Sequence, residues 1–179
     1  MQWNTKPEVM KQITESIDKV LLDLPLKQVL SEDFPNDSSS LPIIGGWGYK
    51  QDDAIKFILD PKNQRASKNF VSLEYDIAQK IIYEELIIYR PEDYRFSGIN
   101  LKLQKQETIH KNNLIFDKLL FDISCWSDWH WFKLKEEWEE NEFGQKQGFD
   151  LQMHQEKRDA AMIFYQREFW FDITDVFNH

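Results

Sequence analysis

The chain is poor in cysteine: Cys125 is the only one among 179 residues. An intrachain disulfide and any multi-cysteine zinc or iron–sulfur site are therefore excluded. Positive charge is also short. Twenty-two Lys and Arg stand against 31 Asp and Glu, a net −9, which argues against binding nucleic acid or an anionic membrane, whose phosphates would be repelled. Long apolar runs are missing as well. Ile81–Tyr89 and Ala160–Tyr165 are short or broken by charge, and neither spans a bilayer core of roughly 30 Å. Met1–Met10 contains Lys6 and Glu8 but no apolar stretch of the secretory type. These absences predict a cytoplasmic protein in a reducing compartment.

What is present is apolar and aromatic. Hydrophobic residues make up 41% and aromatics 15%, including 7 Trp and 13 Phe. That is ample for one core, and the length predicts a single domain over 1–179. Val9, Ile13, Ile17, Val20, Leu21 and Leu24 recur at helical spacing, with Pro7 suited to a first turn and Pro25 to a stop, predicting an N-terminal helix within 1–30. SEDFPNDSSS predicts a loop over 31–40, followed by an α+β body over 41–179. In that body Gly45, Gly46 and Gly48 predict a tight turn with positive φ, and Ala54–Leu59 a short strand.

Leu73, Ile77, Ile81 and Ile88 form the stripe of a central helix over 72–89, ended by Pro91. Ile99, Leu101 and Leu103 alternate with polar residues, and with Leu114–Ile123 they predict an antiparallel hairpin turning at Lys111–Asn113. Trp131, Leu134 and Trp138 predict a helix over 127–142 capped by Ser127. A second β unit is expected at 149–155 and 160–173. The fold class is α+β: an antiparallel sheet of hairpins packed with the N-terminal, central and Trp-rich acidic helices.

Chemistry-bearing patterns are weak. Gly45-Gly46-Trp47-Gly48 fits neither the dinucleotide fingerprint nor a P-loop. Cys125 and His130 lack a spacing that fixes a dyad. Asp128 and His130, two apart on a helix, point different ways, and His110, His154 and His179 are scattered. No cofactor, metal or catalytic residue is expected, and the chain is not expected to be an enzyme. Glu84 and Glu85 interrupt an apolar helix and predict a buried carboxylate paired with Arg90, Arg95 or Arg167, or else a pocket beside Trp47 and Tyr49 that would make the chain a small enzyme or small-ligand binder.

The charge pattern says more. Residues 122–142 hold seven acids, two lysines and four tryptophans. If Trp131 and Trp138 face the core, Asp128, Trp129, Glu136, Glu137, Glu139 and Glu140 offer an acidic, aromatic surface to a basic protein partner. The other reading is the ordinary solvated face of an amphipathic helix.

The segments LPIIGGWGYKQDDA, IYEELIIYRPED, FSGI, LKEEWE and REFWFDIT, between Leu41 and Thr174, resemble a family of small bacterial immunity proteins found beside polymorphic or contact-dependent toxins. The resemblance implies a cytoplasmic, non-catalytic, one-to-one inhibitor that occludes a cognate toxin domain, often a basic nuclease; the chain itself is expected to be a monomer or a weak homo-oligomer. No active-site residue carries over.

Overall fold

The computed structural model describes residues 17–38 and 40–178. In chain order come α1 (Leu26–Asp33), a single turn α2 (Pro35–Ser38), β1 (Ile43–Gly45), β2 (Ile55–Phe57), α3 (Arg65–Tyr83), β3 (Phe96–Lys111), β4 (Leu114–Ser127), α4 (Asp128–Glu140), α5 (Leu151–Ala161) and β5 (Ile163–Asp172). The strands form one sheet in the order β1-β2-β5-β4-β3. The class is α+β, as expected. The sheet is mixed rather than purely antiparallel, because β2 runs parallel to β5.

Period-2 alternation builds the largest part of this sheet. β3 and β4 form the expected hairpin, with Lys111 opposite Leu114. Asn112 and Asn113 between them have φ of 51° and 63°, the paired left-handed residues of a two-residue turn whose twist suits a hairpin. One face of the sheet carries Leu119, Phe121 and Ile123 from β4, Phe169 and Phe171 from β5, and Ile55 and Phe57 from β2, all buried. Phe121 meets Phe169 edge-on, and Phe57 stacks on Phe171. Each such ring contributes about 1.5–3 kcal/mol by leaving water. On the other face Lys118 pairs with Glu168 and Gln166 donates to Asp122, the polar part of a face that also buries Phe116, Trp126 and Phe164.

The central helix lies over the apolar face. Leu73, Ile77, Ala78, Ile81 and Ile82 are buried, and Tyr75 meets Phe121 edge-on. Helical residues begin at Arg65, but Asn69 breaks the run (φ −158°, ψ 67°), and its Oδ1 accepts the Ser72 amide. The regular part thus starts near the expected residue. At its C-terminal end the helix widens into a π turn over Glu84–Ile88, and the Tyr89 amide donates to the Glu84 carbonyl five residues back. Because a π turn advances less per residue than an α turn, consecutive Glu84, Glu85 and Leu86 all stay on the buried side.

Three expectations are corrected. Residues 17–24 are not helical; residues 1–16, where the expected N-terminal helix would begin, lie outside the described residues. Leu21 stands exposed while Ile17 and Val20 are buried, and the core holds this segment by its backbone. Arg167 donates to the Ile17 carbonyl, Trp47 donates to the Leu24 carbonyl, and the Val20 amide donates to Tyr49 Oη. Pro25 precedes α1 instead of ending a helix, and Pro35 opens α2 where a loop was expected, since proline tolerates a first helical turn. Finally, Phe149–Gln155 is not a strand. Asp150 caps α5 by accepting the Met153 amide, and the five-residue alternation there is too short to outweigh that cap.

Candidate functional site

The GGWGY turn is packed by its own side chains. Gly48 has φ +76°, a conformation suited to glycine, and a Cβ there would meet Ile55 and the Trp170 carbonyl at 2.9–3.0 Å. Trp47 and Tyr49 are buried and stacked on each other, and Asp53 accepts the Trp47 amide. Among the described residues, Trp47, Tyr49 and Glu85, named for a pocket beside this turn, belong to one buried cluster. Arg167 donates through Nε and Nη2 to one oxygen of Glu85 at 3.1 and 3.0 Å, and its guanidinium lies between the rings of Tyr49 and Tyr165. Of the three arginines considered for this helix, the fold selects Arg167.

Two further glutamates of the central helix are buried with no cation in ion-pair range among the described residues. Glu74 faces Asp117, which accepts Thr108 Oγ1 at 2.6 Å and Gln106 Nε2 at 2.8 Å. Burial first, then the Asp117 charge, pushes the Glu74 carboxyl up to about 9. Glu84 behaves alike: burial and the charge of Asp33 push it up to about 8. Both are neutral acids near pH 7, which removes much of the cost of burying them. Burial also raises Glu85, against the opposing pull of Arg167.

Nucleophilic and metal chemistry find little support in this geometry. Cys125 is buried, while His130 is exposed with its Nδ1 2.8 Å from Ser127 Oγ. Among the described residues no group of three or more His, Cys, Asp or Glu is placed to hold a metal ion.

The acidic helix is a different environment. Ser127 caps α4 as expected, its side chain accepting the His130 amide. With α5 it forms a helical hairpin at the end of the sheet. Trp131 packs on Trp126 and over Gly98, where φ is +64° and any Cβ would collide with the indole. Trp126 Nε1 donates to the Arg158 carbonyl. Trp138 stacks on His154, with Phe149 alongside. No residue of α4 is fully buried, and in α5 only His154 is.

The six predicted partner-contacting residues separate into two groups. Asp128 accepts Ser97 Oγ at 2.7 Å at the start of the helix. Glu137 pairs with Lys157 at 2.7 Å and lies 3.4 Å from His154 Nδ1, and the Lys157 hydrogen bond holds its carboxyl below the usual range. Glu139 meets Lys135 at 3.7 Å. These three are engaged within the hairpin or its junction with the sheet. Trp129, Glu136 and Glu140 remain, on one stripe at i, i+7 and i+11. Trp129 is 60% exposed, with Lys133 Nζ 3.9 Å above its ring. Glu136 and Glu140 are exposed with no ion pair among the described residues.

Two aromatics were not anticipated for this surface. Phe132 is 59% exposed, and Phe143 is 61% exposed just beyond the helix. Projecting 129, 132, 136 and 140 onto a helix would have placed Phe132 on the outward side. Phe143 offered no such signal, because it sits in a left-handed turn (Glu142 φ 52°, Phe143 φ 55°). Among the described residues no helix is long and apolar enough to cross a membrane. The chain matches no protein-family model, no curated protein and no solved structure.

Proposed function

We propose that this chain is a non-catalytic binding protein, a cytoplasmic inhibitor of the immunity type, that holds a basic protein partner against the outer stripe of α4. The observation that carries the reading is the stripe itself. Trp129, Phe132, Glu136 and Glu140 lie exposed on a helix with no buried residue, and neither glutamate has an ion pair among the described residues. Exposed aromatics supply hot-spot energy once desolvated, and unpaired acids steer and orient a cationic surface. The net −9 of the chain adds long-range attraction for a basic domain such as a nuclease. Lys133 over Trp129 occupies the ring face that an arriving cation would use, so displacing it is part of docking. On this reading Asp128, Glu137 and Glu139 hold the hairpin in shape, and Glu136 and Glu140 meet the partner.

The test is titration calorimetry of the double variant Glu136→Lys/Glu140→Lys against the basic toxin domain encoded beside this chain. Charge reversal at two contact positions is expected to weaken binding at least about tenfold at low salt, with a smaller difference at high salt. Unchanged affinity at low salt would remove this stripe as the interface.

A further inference from the structure

A cleft of about 590 Å³ runs between α4 and α5, on a different side of α4 from the acidic stripe. Its walls are apolar and aromatic: Trp131, Leu134, Trp138, Phe143 and Leu151. Three charges of fixed sign also line it, and they do not cancel. Lys135 and Glu139 satisfy each other at 3.7 Å. Arg158 is left, with its guanidinium 5.5 Å from the Trp126 ring and no carboxylate within ion-pair distance among the described residues. A guanidinium keeps its charge at any physiological pH and presents a planar fork that matches a carboxylate. Trp126 meets this residue at both its side chain and its backbone. The Trp126 ring packs against the guanidinium, and the indole N–H bonds the Arg158 carbonyl at 2.8 Å.

We propose that this cleft binds a small amphipathic carboxylate, an aromatic or short aliphatic acid, whose apolar part fills the space between Trp131, Trp138 and Leu151 while its carboxylate pairs with Arg158. Size and chemistry agree. Small-molecule sites fall in the range of roughly 300–1,000 Å³, lined by apolar groups with a few polar anchors. The net charge of the lining is positive, against the trend of an acidic chain, so an anion is preferred over a cation of the same shape. The site shares no residue with the stripe assigned to the protein partner, and the two readings stand or fall separately.

The experiment uses the full chain with indole-3-propionate and its neutral amide, followed by calorimetry and by the indole N–H resonances of Trp131 and Trp138. The acid is expected to saturate and to shift those two resonances, with the amide binding about tenfold more weakly, the value of one charge-assisted pair. Arg158→Gln is expected to lower the acid to the affinity of the amide, while circular dichroism of the variant stays native. Equal affinity of acid and amide for the unaltered chain would overturn the proposal, and that arm does not depend on any variant folding. So would saturation that moves only tryptophans away from the cleft, Trp47 or Trp170, or no saturation at all by about 5 mM.

Discussion

The central helix and the α4–α5 hairpin bury their side chains to very different degrees. The first, with its π turn, buries seven apolar residues and three glutamates. The second has a single buried residue, His154, and carries Trp129, Phe132, Leu151 and Met153 largely in water. A helix meant only to complete a core would turn its aromatics inward, because each contributes most when desolvated. The comparison teaches that stability is concentrated in one half of the molecule and accessible apolar surface in the other. The hairpin contains what a partner or ligand would cover.

The sharpest way to break this comparison is to cut the buried ion pair. Arg167→Met leaves Glu85 without its cation and frees the Ile17 carbonyl from its donor. A loss of about 3–5 kcal/mol in denaturant unfolding is expected. By contrast Trp129→Ala or Phe132→Ala is expected to change stability by no more than about 0.5 kcal/mol. Comparable losses at both sites would erase the distinction.

Alkaline titration tests the buried carboxylates of the same helix. The folded chain holds the Glu74 proton to about pH 9 and the Glu84 proton to about pH 8, whereas the unfolded chain releases both in the ordinary carboxylate range. Between those limits the folded state carries more protons, so stability falls as pH rises, by about 1.4 kcal/mol per unit for each site. Glu74→Gln removes one site. It is expected to leave stability at pH 7 within about 1.5 kcal/mol and to flatten the decline toward pH 9. A decline as steep as in the unaltered chain would show that Glu74 is not the group responsible.

Much of this contrast was legible in the residues. The Leu73–Ile81 stripe, the Ile99–Leu103 alternation, the Asn112–Asn113 turn and the Ser127 cap are local signals, and the fold follows each of them. What escaped depends on long-range partners. The parallel pairing of β2 with β5 leaves no local pattern. The periodicity of Ile17, Val20, Leu21 and Leu24 suggests a helix, yet side chains of Tyr49, Trp47 and Arg167 bond that backbone, which is not helical. Phe149, Leu151 and Met153 alternate over five residues, but Asp150 is a cap and α5 results. For the site, the acid-rich window was visible. Which acids stay free was not, because Lys157, the partner of Glu137, lies twenty residues away on another helix.

A smaller effect sharpens the comparison further. Glu142 and Phe143 both adopt left-handed φ at the hairpin tip, a conformation costing about 1 kcal/mol for a residue with a side chain. Glu142→Gly is expected to leave stability level or raise it by up to about 1 kcal/mol in thermal melts. A clear loss would mean that the turn is held by contacts of the Glu142 side chain.

Native-state amide hydrogen exchange on the full chain tests the division most directly. Amides of Leu73–Ile82 are predicted to exchange only through global unfolding, and those of α4 and α5 through local opening at a lower free energy. Equal protection in the two regions would contradict a stable platform bearing a thinly packed binding hairpin.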